Sequence, residues 1–364
     1  LKAGAALHRP FCFCKRKEKE LKIREEWLQK EDFGVLLPFV EDKNVTDIDY
    51  NGYSLWITDL RKGRYCADVV VSDKLVDDLT DRVANYNNKH LNKVDNVLEA
   101  QTDELRITVT HESVAVTGRS ICIRKSPPEI KLTTKKMLKE GYCSQEILSF
   151  LINCVRARMN FAFCGEPGVG KTEGVKSFAR YIPENERIVS IEDTLETHLH
   201  EIFPFRDIIE LLISKGFSYT DAIKHCLRLD PKWVILSEAR SVEVKYLLEQ
   251  WSTGLRGFTT LHLDDLRNLV DRIMNMLGKS KDADRLENNI YEYVSVGVLI
   301  RKKQDGTRYI DQVALYDRTN RKNTITMLVE DGRLQEEKIP EKILNNMKLN
   351  GIHDPFHCDP SLLQ

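Results

Sequence analysis

Apolar and polar residues alternate in short runs over the first third of the chain, then give way to longer apolar runs separated by amphipathic stretches. The alternating part predicts strands at residues 45–50, 54–58, 64–71, 106–110 and 119–124 around one helix at 74–86, because period two places every other side chain on one sheet face. These elements make a mixed α/β domain over residues 41–125. The paired prolines of Lys125-Ser-Pro-Pro-Glu129 can continue neither a ladder nor a helix, so residues 126–136 read as a linker. From residue 137 helix and apolar strand alternate. A helix at 144–156 is followed by strands ending near 164, 191, 236 and 261, the pattern of a parallel sheet covered on both faces. Leu266, Leu269, Val270, Ile273, Met274 and Leu277 then share one helical face, and strands at 295–302 and 308–316 flank an Asp305-Gly306 turn. The fold class is α/β, with a parallel-rich sheet in a C-terminal domain over residues 137–364.

Composition narrows the class. At 364 residues the chain suits about two or three domains, and no apolar run approaches the roughly 20 residues needed to span a bilayer. A net charge of −1 lacks the basic field that drives nonspecific nucleic-acid binding, so a nucleic-acid partner is not expected. Nine scattered cysteines without a Cys-x-x-Cys pair argue against a disulfide framework or a zinc site and suit a reducing cytoplasm. Cys12 and Cys14 read as a fortuitous surface pair. Residues 1–40 form an N-terminal extension: 1–10 read as a cloning scar, and 15–30 as a charged amphipathic helix with a packing or solvated role, able at most to rest on a membrane surface.

The chemistry begins at Gly165-Glu166-Pro167-Gly168-Val169-Gly170-Lys171-Thr172, followed by Glu173 at the head of a helix. Here glycines let backbone N–H groups wrap a phosphate chain, and the helix turns its positive end to the same anion. Lys171 supplies a point charge for the outer phosphates. Thr172 offers a hydroxyl to Mg²⁺. The pattern predicts ATP with Mg²⁺ as the bound pair.

Three later segments acquire meaning beside that loop. Residues 187–193 are an apolar run ending in Glu192-Asp193, with Glu196 close behind, and carboxylates there suit Mg²⁺ or its waters, so Glu192 joins Thr172 as a metal candidate. Trp233-Val-Ile-Leu-Ser-Glu238 is a buried-strand pattern that delivers Glu238 to a carboxyl end, where a carboxylate orients an attacking water. Thr253 to His262 carries glycines for a turn into a strand ending at His262. An isolated acidic strand end is ordinarily a solvated turn, and a lone histidine an ordinary core residue.

Together the phosphate loop, the stretch 188–196, the segment 227–240 and the stretch 253–262 resemble, in order, the four motifs of the secretion and traffic ATPase superfamily of type II and type IV secretion, conjugation and pilus assembly. The resemblance covers about residues 40–320. It implies a RecA-like ATPase domain in which Glu238 is the catalytic glutamate, Glu192 and Glu196 support metal and water, and His262 reports hydrolysis. It also implies that Arg106 and Arg124, on strands before the linker, reach the γ-phosphate. A homo-oligomeric, hexameric ring is implied, working at the cytoplasmic face of the membrane on platform or channel proteins embedded there. Two positions depart from the family pattern: Leu255 stands where a histidine is usual, and Ser237 where a glycine is usual. They leave a nucleotide-binding regulator with negligible hydrolysis as one alternative. A DNA translocase on a related core is the other.

Overall fold

The computed structural model describes residues 27–239, 241, 243–278 and 282–363. Residues 1–10, Cys12, Cys14 and most of the expected charged helix lie outside them.

The first sheet contains β1 (Val45–Tyr50), β2 (Leu55–Asp59), β3 (Gly63–Ala67), β4 (Val97–Gln101), β5 (Leu105–Thr110) and β6 (Ser120–Lys125) in the order β3-β2-β1-β6-β5-β4. All its neighbours are antiparallel. Leu105, Ile107 and Val109 are buried on one face of β5, which leaves Arg106 and Thr108 on the other. The helix Asp73–Tyr86 covers the apolar face with Val76, Leu79 and Val83, and the Ser72 hydroxyl caps it by accepting from the Leu75 N–H. Leu28, Phe33 and Leu36 join the same core from ahead of residue 41. β4 escaped the sequence reading because this edge strand alternates for only five residues, with Leu98 and Ala100 facing inward.

The second sheet contains β7 (Phe161–Cys164), β8 (Ile188–Glu192), β9 (Ile208–Leu212), β10 (Trp233–Leu236), β11 (Arg256–Leu261), β12 (Val296–Lys302), β13 (Arg308–Thr319), β14 (Lys322–Glu330) and β15 (Arg333–Leu334). Their order is β15-β14-β13-β12-β7-β11-β10-β8-β9, parallel from β12 to β9 and antiparallel from β12 to β15. This is the RecA-like arrangement, with β7 between β12 and β11. Strands buried on both faces read as continuous apolar runs. In β7, Phe161 and Phe163 pack into one core with Phe178 and Phe258, while Ala162 and Cys164 face a second core with Leu236 and Leu261.

Parallel register decides where chemistry collects. Leu236 pairs with Ile191, and Leu261 with Cys164. The residues just past those pairs therefore emerge together at one rim, where open α/β sheets place their ligands. The segment joining the sheets packs along the helix Lys171–Ala179: Ser177 donates to the Leu132 carbonyl (2.6 Å), and the Lys131 N–H donates to Glu173 Oε2 (3.0 Å).

Candidate functional site

β7 runs into a loop whose Gly165, Gly168 and Gly170 all have positive φ (145°, 76° and 97°), a region that side chains with a Cβ rarely adopt. At Gly165 the space is closed as well, since a Cβ there would lie 2.5 Å from the Ile300 carbonyl oxygen. Gly170 caps the helix Lys171–Ala179, so the helix N–H groups open into a cavity of about 410 Å³. Pro167, Gly168, Gly170, Lys171, Thr172 and Glu173 line that cavity, whereas Gly165, Glu166 and Val169 shape the loop behind it. Lys171 is buried and donates to the Gly165 and Glu166 carbonyls at 3.1 and 3.0 Å. Burial lowers its pKa, with Glu238 the chief opposing charge.

Glu238 and His262 arrive on adjacent strands, β10 and β11. Glu238 Oε1 lies 3.1 Å from His262 Nε2, and His262 Nδ1 lies 3.3 Å from Lys171 Nζ. An ammonium has no lone pair, so Nδ1 turns its own toward Lys171 and Nε2 keeps the proton that meets Glu238. Burial, and then Lys171, pushes the His262 pKa down against the pull of Glu238, which favours the neutral ring. Ser237 lines the same cavity, and its carbonyl accepts from Thr260 Oγ1 at 2.6 Å. Leu255 packs against the second core.

The acidic segment after β8 divides its roles differently from the expectation. Glu192 does not reach the cavity. It is 1% exposed and accepts from the N–H groups of Glu196 (2.9 Å) and Thr197 (3.0 Å) and from the Thr197 hydroxyl. Burial raises its pKa to about 7, with the Thr197 hydroxyl and the two N–H groups opposing. Glu192 is thus the internal brace of the turn that presents Glu196. Glu196 lines the cavity and accepts from the Thr172 hydroxyl at 3.3 Å, and Asp193 and Thr194 line it too. The carboxylate that faces the cavity beside Thr172 is therefore Glu196 rather than Glu192.

Arg106 and Arg124 reach the same cavity from the first sheet. Arg106 pairs with Arg124 across β5 and β6, and Arg124 pairs with Asp47 across β6 and β1, so all three lie in one cross-strand row. Arg124 Nε donates to Asp47 Oδ1 at 2.8 Å, and Arg106 meets Glu99 at 3.2 Å. The two sheets touch nearby, where Ser126 Oγ donates to the Glu196 carbonyl (3.1 Å) and Gln101 to the Leu195 carbonyl (3.3 Å).

Sequence reasoning missed Arg308, Lys131 and Lys176, all of which line the cavity. The one available signal was the Asp305-Gly306 turn, which marks where a hairpin returns but not what it returns beside. Lysine and arginine outnumber carboxylates around the cavity, so it suits a polyanion, with Glu238 and His262 placed to handle a water or a proton at one end.

The family model for type II/IV secretion system proteins matches residues 81–326, more than half of the chain. An uncharacterised protein of Bacillus anthracis is 27% identical over 274 residues, which cover 74% of this chain and 62% of that protein. The type IV secretion system protein VirB11 of Bartonella quintana is 26% identical over 159 residues, covering 42% of this chain and 44% of VirB11. The chain thus matches less than two-thirds of the length of either curated relative. Among solved structures, the pilus retraction motor PilT with bound ADP superposes with a TM-score of 0.59 at 18% identity, covering 87% of this chain and 86% of that one, a likeness of fold.

Proposed function

The chain belongs to the type II/IV secretion system protein family, and on that premise we propose that it is an ATPase that turns ATP hydrolysis into movement for a secretion, conjugation or pilus machine. The observation that carries the reading is the convergence of Lys171, Glu238 and His262 within 3.3 Å links at the mouth of a helix-capped glycine loop. Backbone N–H groups of the loop and helix bind the phosphates, and Lys171 neutralises the outer ones. Glu238 orients the water for in-line attack. His262, neutral and joined to both Lys171 and Glu238, senses whether the outer phosphate is present.

Magnesium fits the Thr172 hydroxyl and the Glu196 carboxylate, a pair of hard oxygens already 3.3 Å apart. Among the described residues no cluster of three or more His, Cys, Asp or Glu is suited to hold a metal. This agrees with an ion that takes most of its ligands from phosphate and water. When bound, Mg²⁺ neutralises charge on the outer phosphates.

Arg106 and Arg124 belong to a different sheet from the loop, so their reach depends on how the first domain closes over the second, with residues 126–136 as the hinge. The assembled form is a homo-oligomeric ring of six, peripheral at the cytoplasmic face of the membrane and acting on embedded platform or channel proteins. Among the described residues no helix is long and apolar enough to cross a membrane. The test is Mg-ATP turnover by the full chain and by Lys171→Ala. The proposal requires turnover in the first and its loss, with sharply weaker ATP binding, in the second; equal turnover would overturn it.

A further inference from the structure

Arg308 opens β13 on the far side of β12 from the loop strand, yet its side chain folds back over the glycine loop. Its Nη2 donates to the Gly168 carbonyl at a long 3.3 Å, and a Cβ on Gly170 would stand 3.5 Å from its Cδ and 3.6 Å from its Nε. Nε is buried and without a hydrogen-bond partner. Among the described residues no carboxylate forms an ion pair with Arg308. Glu173, which lines the cavity beside it, is engaged by Lys176 at 3.3 Å and by the Lys131 N–H. A second cation, Lys131, lines the same two cavities, and the one carboxylate common to both is this already engaged Glu173. The buried Arg308 Nε–H left without an acceptor costs free energy that a bound anion would offset.

The position of Arg308 says which part of a nucleotide that anion is. Arg308 lines the 410 Å³ cavity and also an adjoining one of about 740 Å³. The second cavity shares Gly170 and Glu173 with the first but not Lys171, Glu238 or His262, and it is bordered by Leu60, Leu132 and Tyr142. Arg308 therefore stands at the end of the loop away from the Glu238–His262 pair, between the phosphate track and an adjoining space whose wall combines Leu60, Leu132 and Tyr142 with charged side chains such as Arg61, Lys136 and Glu140. We propose, resting on the nucleotide reading above, that Arg308 binds the α-phosphate and marks the junction of phosphate chain and nucleoside. Its guanidinium forks toward two phosphate oxygens, which a lysine at this place would meet only as a point charge. Because it comes from the same sheet as the loop, this contact forms whether or not the first domain has closed, unlike those of Arg106 and Arg124.

The experiment measures affinities of the full chain for Mg-ADP and for a non-hydrolysable Mg-ATP analogue, in wild type, Arg308→Ala, Arg308→Lys and Lys171→Ala. Both nucleotides contain the α-phosphate, so Arg308→Ala weakens both by one common factor, about 10- to 100-fold. Arg308→Lys recovers part of the loss. In steady-state assays the KM for ATP rises by a comparable factor. Lys171→Ala, acting on the outer phosphates, penalises the ATP analogue more than ADP. Unchanged ADP affinity in Arg308→Ala, or a loss confined to the ATP analogue, overturns the assignment while leaving nucleotide binding intact. Wild type that binds neither nucleotide overturns both readings. If the alanine variant melts early, Arg308→Gln, which keeps most of the stem, decides by the same two affinities.

Discussion

Replacing Arg124 with alanine separates stability from catalysis. The ion pair it loses, Arg124 with Asp47, is 63% exposed on the arginine side. Pairs in that setting contribute at most about 1 kcal/mol, or roughly 4–8 °C in melting temperature for a domain of this size. The register sets the other side of the comparison. Asp47, Arg124 and Arg106 stand in one row across β1, β6 and β5, on the face opposite the buried Ile107 and Ile123. The truncation therefore leaves no hole in the core. If Arg124 neutralises charge on the transferring phosphoryl group, its loss lowers kcat by about 10- to 10³-fold, equivalent to roughly 1.4–4 kcal/mol. The catalytic effect then exceeds the structural one. Steady-state turnover at saturating Mg-ATP, alongside a thermal melt and an ADP affinity, reads all three quantities. Arg106→Ala follows the same pattern. Turnover within twofold of wild type in both variants, with folding intact, would refute the idea that the first sheet supplies catalytic cations and would leave it as a docking module.

Glu238→Gln keeps nucleotide affinity and loses about 10²-fold or more in turnover, since it removes the water-orienting carboxylate but no phosphate donor; a parallel fall in binding would make Glu238 structural. Glu192 titrates near 7 because burial disfavours its charge. In the unfolded chain it ionises near 4.5, so the native state holds the extra proton between these values and stability falls as pH rises through that window. Against Glu192→Gln, wild type should lose about 3 kcal/mol between pH 4.5 and 7 in denaturant melts; parallel pH profiles would contradict the buried brace. Light scattering with Mg-ADP or a Mg-ATP analogue at micromolar protein should detect a six-membered ring, and monomer under every nucleotide condition would count against a self-assembling motor.

What could be read from the chain alone was local. Eight consecutive residues, Gly165 to Thr172, carry the phosphate loop because positive-φ glycines, a helix start and a lysine are short-range requirements. Strand ends near Ile191, Leu236 and Leu261 were legible because buried parallel strands are runs of apolar residues. Once those strands share a register, Glu238 and His262 must emerge beside the loop. The edge strands β4 and β9 were not legible, since a half-exposed edge needs neither a long apolar run nor a long alternation.

Tertiary structure alone decided which of two nearby carboxylates faces the cavity. Glu192 and Glu196 are equivalent in composition, but the turn folds the first inward onto Thr197 and the second outward to Thr172. It also brought Arg308 over Gly168, 140 positions away in the chain, and aligned Arg106 with Arg124 and Asp47. No local propensity encodes such neighbours. They follow from sheet order, with β12 and β13 beside β7 and β6 between β1 and β5, and sheet order is set by how two whole cores pack.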